Sequence, residues 1–299
     1  MSASQHDLRL QGVYTAIVTP FTEDGSLDLH AFEKLLDWQL EGGVSGVVVC
    51  GTTGESPTVT ETEFTALLQL AHKKLRGRAV LIAGTGTNCT EKTIERSKLA
   101  RDNGAQVLLI ASPYYNKPTQ NGLLAHYHAI ADSVDLPIIV YNVPGRTAVN
   151  ITTDSLIVLA RHPNIIAVKE ASGDINQIMD VIARVPQPFT VLAGDDPITL
   201  PVLGCGGRGT ISVISNEAPA LMVKMVQAAL NGDFEQARTR HYELLPLMKA
   251  NFWESNPTVV KAALAEMGLI KNVLRLPLVP MSNRLRTSLI EELHKLKLV

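Results

Sequence analysis

Short apolar segments alternate with amphipathic segments along most of the chain. The runs at 12–18, 46–50, 79–83 and 107–110 are rich in Val, Ile and Leu, which is typical of strands buried on both faces. Helix-length stretches with apolar residues at helical spacing follow these runs, the first of them near 30–41. The pattern therefore predicts repeated units of one strand and one helix, with the strands parallel.

The same alternation continues through the middle of the chain. Further strands are predicted at 137–141, 164–169, 190–193 and 209–213, with helical stretches between them. About eight strand–helix units within ~200–250 residues are typical of a closed (β/α)8 TIM barrel, an α/β fold. An open, doubly wound sheet is the alternative, but no complete dinucleotide-binding or phosphate-binding glycine loop supports it.

The pattern becomes purely helical from about residue 231. Helices are predicted there at roughly 234–250, 257–267 and 282–298. No linker-like tract separates them from the preceding strands. We therefore expect a barrel over residues 1–230 and a C-terminal helical extension over residues 231–299.

Composition and charge exclude several classes of function. The 299 residues carry a net charge of -2, which favours neither nucleic acid nor an anionic membrane. No apolar run has the length of a membrane span, and the N-terminus lacks the pattern of an export signal. Three widely spaced cysteines are typical of reduced thiols. We expect a cytoplasmic protein with no nucleic-acid or membrane partner.

Lys169 ends the β-branched strand that begins near residue 164, and a turn-forming segment follows it. Alternate side chains of a regular strand share a face, so we expect Lys169 to lie on the same face as Ala167 and Ile165. Burial disfavours a charged ammonium group, and the neutral amine is the form that attacks a carbonyl carbon. The alternative is a lysine whose amine extends from the strand end into solvent.

The carboxyl ends of the strands form the active site in barrels of this kind. The residues that the sequence places at these ends are Thr52, Thr53, Tyr114, Tyr115, Tyr141, Arg146, Lys169, Gly194 and Ile211. Three of the six tyrosines of the chain are among them, and core packing would instead distribute aromatic residues along the strands. This concentration favours a catalytic Lys169, although turn formation or capping explains each threonine taken alone.

Metal ligation is not indicated by the spacing of the acidic and histidine residues. Asp195 and Asp196 precede a proline and a helix, so helix capping explains them better than metal binding. His126 and His128 are two positions apart on a predicted helix and therefore point in different directions. The sequence argues against a metal-dependent aldolase and for a site that needs no metal.

Several motifs identify a known family. They are Gly51-Thr52-Thr53-Gly54-Glu55, Tyr114-Tyr115-Asn116, Tyr141-Asn142-Val143-Pro144-Gly145-Arg146-Thr147, Lys169-Glu170, Gly194-Asp195-Asp196 and Asn256-Pro257-Thr258-Val259-Val260-Lys261. Over nearly its whole length the chain resembles the dihydrodipicolinate synthase family of pyruvate-dependent Schiff-base lyases and aldolases. The resemblance implies a lyase of lysine (diaminopimelate) biosynthesis that condenses pyruvate with L-aspartate 4-semialdehyde and requires no cofactor.

The resemblance implies four catalytic residues. Lys169 forms an imine with the keto carbon of pyruvate, and the protonated imine is the electron sink for an enamine. Tyr141 acts as general acid and base in a proton relay with Thr52 and Tyr115. In the family the second tyrosine of the pair reaches the site of a neighbouring subunit. The resemblance therefore also implies a homotetramer, arranged as a dimer of dimers.

It also implies four substrate-binding residues. Thr53 holds the carboxylate of pyruvate, and Arg146 binds the carboxylate of aspartate semialdehyde. Gly194 and Ile211 line the pyruvate pocket through backbone groups. We therefore expect the two substrates to bind at the rim where the strands end.

Two other functions remain open at this point. A sister aldolase would use the same imine with another aldehyde, as N-acetylneuraminate or 2-keto-3-deoxysugar lyases do, and Arg146 is the residue that discriminates between them. A sensor that binds a keto acid without turnover is the other alternative, and the complete set of catalytic residues argues against it.

Feedback inhibition by lysine is not expected. Lysine-inhibited members of the family carry polar or histidine residues after the GTTGE motif and a glutamate in the helix after GTGTN. The matching positions here are Glu61, Phe64 and Lys92. A cation at Lys92 would repel the ammonium group of an effector, and Phe64 offers no hydrogen bond.

Overall fold

A computed structural model describes residues 8–299. Its eight strands are β1 Gly12–Ala16, β2 Gly46–Val49, β3 Val80–Gly84, β4 Val107–Ala111, β5 Ile138–Asn142, β6 Ile165–Glu170, β7 Thr190–Ala193 and β8 Gly209–Ser212. Its α-helices are α1 Leu29–Glu41, α2 Glu61–Leu75, α3 Thr90–Asp102, α4 Gln120–Ser133, α5 Pro144–Thr147, α6 Thr153–Leu159, α7 Ile175–Arg184, α8 Thr199–Gly204, α9 Pro219–Leu230, α10 Phe234–Ala250, α11 Thr258–Glu266 and α12 Asn283–Lys295. Within these residues no helix is both long and apolar enough to cross a membrane.

The eight strands form one closed parallel barrel. Each strand pairs with its neighbours in the sequence, and β8 closes the barrel on β1, with Gly12 opposite Gly209. The expected (β/α)8 barrel is therefore confirmed, and the open sheet is excluded. Because all strands are parallel, their carboxyl ends meet at one rim.

The sequence prediction missed two helices. α9 is apolar over most of its surface and largely buried, so it lacks the polar face that identifies an amphipathic helix. It begins before residue 231, where the purely helical pattern was expected to start. α5 is a single turn opened by Pro144, and it carries Arg146. Its four residues are too few to show helical periodicity.

Two hydrophobic clusters fill the molecule. The smaller one occupies the barrel interior and includes Tyr14, Tyr141 and Ile211. The larger one lies between the strands and the helices, and it also contains Leu244 of α10 and Leu289 of α12. The C-terminal helices therefore pack on the same core as the helices that surround the barrel. The division of the chain at residue 230 stays a prediction.

Strand β6 contains an irregularity next to β5. Ile138 pairs with Ile165, but the next residue, Ile139, pairs with Ala167, so one extra residue of β6 is accommodated there. Ile165 consequently belongs to the outer cluster, whereas Ala167 lies inside the barrel. The expectation that Ile165 shares a face with Lys169 is therefore wrong, and the expectation for Ala167 is confirmed.

Candidate active site

Lys169 and Tyr141 are neighbours on adjacent strands at the carboxyl end of the barrel. They are register partners of β6 and β5, so their side chains emerge side by side into the barrel interior. The Lys169 amine lies 4.3 Å from the centroid of the Tyr141 ring. Both residues are buried, with Lys169 only 5% exposed. A primary amine is thus held beside a phenol in a mainly apolar setting.

The next residues along both strands hold this pair in register. Asn142 Nδ2 donates to both carboxylate oxygens of Glu170, at 3.2 and 3.1 Å, and the backbone N–H of Ser172 donates to Glu170 Oε1. Asn142 Oδ1 accepts from the N–H of Ile151. Burial raises the pKa of Glu170, and these donors oppose that effect. The network fixes the strand ends from the outer side of the barrel.

Gly194 provides the space in which Lys169 packs. A Cβ atom at this position would lie 3.0 Å from Lys169 Cγ and 2.8 Å from the Ala171 Cβ, closer than side chains normally approach. The absent side chain at residue 194 therefore lets the lysine stem lie against the backbone that follows β7. Ile211 lies in the barrel interior, in the same cluster as Tyr141.

The loop after β2 carries the two threonines of the motif. Thr53 is buried, and its Oγ1 accepts a hydrogen bond of 2.9 Å from Asn256 Nδ2. Thr19 Oγ1 donates to the carbonyl of Gly54, which holds the same loop against the chain after β1. Thr52 is half-buried and makes no side-chain hydrogen bond within residues 8–299. Its hydroxyl is thus available to a ligand or a relay.

A buried ion pair secures the end of this loop. Lys261 Nζ donates to Glu55 Oε1 at 2.6 Å and to the carbonyl of Thr19 at 2.9 Å. The backbone N–H of Arg275 donates to the other carboxylate oxygen of Glu55 at 3.0 Å. The sequence assigned no role to Asn256, Lys261 or Arg275. The first two lie in the quoted motif Asn256–Lys261, but only the tertiary contact shows what they touch.

One cavity of about 540 Å³ opens at this rim. Expected site residues that line it are Thr52, Tyr114, Tyr141 and Arg146, and Asn256 lines it as well. Arg146 is exposed on the one-turn helix α5, and its guanidinium has no acidic partner within the described chain. Lys169, Thr53, Gly194 and Ile211 do not line this cavity, but the Lys169 amine lies 4.3 Å from the ring centroid of Tyr141, which does. A cation at the mouth of a cavity that a phenol lines suits an anionic compound.

Tyr115 is not brought into this cavity. Its side chain is 89% exposed, and its backbone has a φ of 73°, a left-handed conformation that few residues adopt. The neighbouring Tyr114 lines the cavity, although it is 41% exposed. Within a single chain, Tyr115 therefore lies apart from Tyr141 and Lys169, and the expectation that it acts on a neighbouring subunit stays a prediction.

The expectation that Asp195 and Asp196 cap a helix is wrong. Neither carboxylate makes a capping hydrogen bond, and Asp196 Oδ2 instead accepts the backbone N–H groups of Val213 and Ile214, both at 2.9 Å. Asp196 thus joins the loop after β7 to the end of β8. Burial raises the pKa of Asp195 to about 6, with the charge of Asp196 adding to the effect and that of Lys169 opposing it.

No cluster of three or more acidic, histidine or cysteine side chains suited to a metal occurs within residues 8–299.

Known proteins resemble this chain in sequence and in fold over nearly its whole length. The sequence model of the Dihydrodipicolinate synthetase family matches residues 9–296. A 4-hydroxy-tetrahydrodipicolinate synthase of Koribacter versatilis is 51% identical over 94% of this chain and 94% of its own length. The one from Salinibacter ruber is 49% identical over 93% of both. The crystal structure of dihydrodipicolinate synthase from Thermotoga maritima superposes with a TM-score of 0.96 at 46% identity, covering 98% of this chain and 100% of that one.

Proposed function

Because this chain belongs to the Dihydrodipicolinate synthetase family, we propose that it condenses pyruvate with L-aspartate 4-semialdehyde, the reaction of lysine (diaminopimelate) biosynthesis that its relatives' name denotes. It is a pyruvate-dependent lyase. The observation that carries the mechanism is the buried Lys169 amine, 4.3 Å from the ring of Tyr141 at the rim of the barrel. A keto acid that passes from the cavity to Tyr141 would meet a nucleophile and an acid–base group together.

The reaction begins with attack of the Lys169 amine on the keto carbon of pyruvate. The resulting carbinolamine loses water to form a protonated imine, and the positive nitrogen then accepts electrons when a proton leaves the methyl carbon. The enamine adds to the aldehyde carbon of aspartate semialdehyde, forming a carbon–carbon bond. The amino group of the second substrate then attacks the imine carbon, which closes the ring and releases the Lys169 amine.

Tyr141 transfers the protons that these steps require. Its ring lies over the Lys169 amine, so its hydroxyl is near the atoms where the carbinolamine gains and loses protons. We assign Thr52 to the same relay because its half-buried hydroxyl lines the cavity and has no partner within the described residues. Tyr115 completes the relay from a neighbouring subunit in this proposal.

Two groups would bind the carboxylates of the substrates. We assign the carboxylate of pyruvate to Thr53, whose hydroxyl oxygen accepts from Asn256 and so retains its own proton for donation. Arg146 would bind the carboxylate of aspartate semialdehyde at the cavity mouth with two parallel hydrogen bonds. Gly194 and Ile211 would border the pyruvate beside Lys169.

The proposal includes assembly of the chain as a homotetramer, a dimer of dimers. The exposed Tyr115 supports it, since this side chain can contribute to catalysis only at another copy. Mixing Lys169→Ala and Tyr115→Phe subunits tests this, because a mixed dimer contains one site with both wild-type residues. Turnover above that of either variant is expected, and no gain after subunit exchange would contradict it.

We further propose a cytoplasmic location, supported by three unpaired cysteines.

The decisive experiment combines trapping with turnover. Pyruvate and borohydride should add the mass of a reduced pyruvyl group to Lys169, and Lys169→Ala should abolish the adduct, whereas Lys98→Ala on the exposed face of α3 should not. The wild type should also consume aspartate semialdehyde. An assay that couples the product to the downstream reductase measures this turnover. An adduct on another lysine would contradict the mechanism. An adduct without turnover of this aldehyde would favour a sister aldolase.

A further inference from the structure

Glu217 and Asn251 form a buried pair that the proposed reaction does not use. Glu217 directly follows the short 3₁₀ turn Ile214–Asn216 after β8, and Asn251 directly follows α10. Asn251 Nδ2 donates to Glu217 Oε2 at 3.2 Å, and both side chains are completely buried. This hydrogen bond joins the end of the barrel to the C-terminal helices across 34 residues of sequence.

Each partner of this pair also carries one oxygen that has no donor. Glu217 Oε1 and Asn251 Oδ1 are shielded from solvent and make no hydrogen bond within residues 8–299. A buried acceptor without a donor is costly. A single proton on Glu217 Oε1 would remove both deficits, because the acid O–H would donate to the amide oxygen. An ionised carboxylate has no donor to offer, whereas a carboxylic acid and a primary amide match each other with two hydrogen bonds.

The electrostatic surroundings of Glu217 favour the neutral acid. Burial raises the pKa of Glu217 well above its usual value, and the negative charge of Asp196 adds to this effect against the opposing hydrogen bond from the amide. Burial raises the pKa of Asp196 as well, but its Oδ2 accepts the N–H groups of Val213 and Ile214, which favour its ionised form. Of these two carboxyl groups, Glu217 has fewer donors and therefore retains its proton to higher pH.

No cation compensates a charge on Glu217 within the described chain. On the helices packed against this segment, Lys34, Lys224 and Lys249 are exposed, Lys74 binds the acidic Glu33 and Asp37, and Lys261 donates to Glu55. The charge of Lys169 acts on Asp196. Burial raises the pKa of Tyr14 on β1 to about 12 and lowers that of His241 on α10, so both side chains are neutral at pH 7. An ionised Glu217 would thus be buried without a counterion, which is strongly unfavourable.

We propose that Glu217 keeps its proton in the folded protein and that its acid–amide pair with Asn251 is a pH-sensitive contact between the barrel and the C-terminal helices. The neighbouring Asn216 accepts from the N–H of Val18 and donates to the carbonyl of Ala16. The segment that Glu217 holds therefore also joins the end of β8 to the end of β1. The inference concerns folding and proton binding, so it does not depend on the proposed reaction.

This contact should weaken as the pH rises. A glutamate of the unfolded chain titrates near ~4.3, whereas the pKa of Glu217 is raised in the folded protein. The stability that the proton provides is therefore complete below about pH 4.3 and is lost as the pH rises towards the folded pKa. Relative to Glu217→Gln, which cannot ionise, the unfolding equilibrium constant of the wild type should rise about tenfold per pH unit over that range.

Urea unfolding of the full chain between pH 5 and 8 measures this ratio. Glu217→Gln keeps a hydrogen-bonding edge towards Asn251 without a titratable proton, so it should lack the component that Glu217 adds to the pH dependence. Glu235→Gln, at an exposed position of α10, should keep the dependence of the wild type. The infrared difference spectrum between the wild type and Glu217→Gln at pH 7 should contain the carbonyl stretch of a protonated carboxylic acid. The spectrum against Glu235→Gln should contain carboxylate bands instead.

An unfolding ratio between the wild type and Glu217→Gln that does not change with pH would overturn the proposal. Carboxylate bands for Glu217 at pH 7 would do the same. So would a saturable stabilisation of the wild type by Na⁺ or K⁺ at constant ionic strength that Glu217→Gln lacks, because a cation would then occupy the place of the proton. If Glu217→Gln does not fold, Glu217→Met/Asn251→Leu replaces both partners by apolar side chains, and it should remove the same pH-dependent component.

Discussion

The amine of Lys261 lies 2.6 Å from Glu55 Oε1, although 206 residues separate the two in the sequence. Both side chains are completely buried. Glu55 ends the loop that carries Thr52 and Thr53, and it adopts a left-handed backbone conformation with a φ of 52°. The pair therefore joins the C-terminal helices to the threonine loop of the barrel and fixes the position where this loop turns.

Replacing Lys261 by Met should strongly destabilise the protein. The change leaves the Glu55 carboxylate buried without its cation, which typically costs about 3–5 kcal/mol. Urea unfolding measures this cost, and turnover should fall as well because the threonine loop loses its anchor. Lys271→Met is the control, since Lys271 pairs with Glu23 at the surface and should change stability by less than about 1 kcal/mol. The double variant Glu55→Gln/Lys261→Met should cost less than the sum of the single changes, and strict additivity would refute the coupling.

Tyr141→Phe should lower kcat by about 10²–10⁴-fold, the usual contribution of a positioned acid–base group. The aromatic ring beside the Lys169 amine remains in this variant, so the fold should be retained. Steady-state turnover and circular dichroism test the two parts. Tyr127→Phe is the matched control, because Tyr127 is also buried but donates its hydroxyl to the Ile110 carbonyl away from the cavity. Near-normal turnover of Tyr141→Phe would remove this residue from the relay.

Arg146→Ala should raise the KM for aspartate semialdehyde by about 10–100-fold, because a charged hydrogen-bonded contact contributes roughly 1.5–3 kcal/mol. Trapping of pyruvate with borohydride should be unaffected, since Arg146 is exposed on α5 and Lys169 is buried in the barrel. Initial-rate kinetics with each substrate varied in turn measure the effect. An unchanged KM would favour a sister aldolase that acts on a ketodeoxysugar.

Lysine should inhibit turnover weakly or not at all. Phe64 is fully buried beneath the guanidinium of Arg96 and offers no hydrogen bond, and an exposed cation, Lys92, occupies the position where lysine-inhibited relatives carry a glutamate. The ammonium groups of lysine would be repelled there. Turnover measured across a lysine titration tests the prediction, and clear inhibition at sub-millimolar lysine would refute it.

Acidification should destabilise the protein through His126. Burial lowers the pKa of His126 to about 4, whereas an unfolded histidine titrates near ~6.5. The unfolded state therefore binds the proton first, so the stability is complete above about pH 6.5 and is lost as the pH falls towards 4. At ~1.4 kcal/mol per pH unit, the loss at pH 4 is on the order of 3 kcal/mol.

Urea unfolding between pH 7 and 4 measures this contribution. His126→Gln should reduce the slope of stability against pH in that range. His30→Gln, at an exposed position of α1, should leave the slope unchanged. An identical slope in His126→Gln and the wild type would assign the acid sensitivity to other groups.

Most of the fold could be predicted from the sequence because its strands are regular. The strand that ends at Lys169 and the one that ends at Tyr141 were identified from their β-branched apolar runs, and the parallel order followed from the intervening helices. Ile165 shows the limit of this reasoning. Strict alternation placed it on the wrong face, since a one-residue irregularity in β6 leaves no signal in the pattern of apolar residues.

The sequence by itself determined which residues reach the rim of the barrel, because the end of each strand is a local property of the chain. Lys169, Tyr141 and Thr52 were all found in this way. Only the tertiary structure decided the contacts between distant segments, among them Asn256 with Thr53 and Lys261 with Glu55. Such contacts depend on how the C-terminal helices pack over the barrel, and no periodicity or motif spacing encodes the distance between two residues some 200 positions apart.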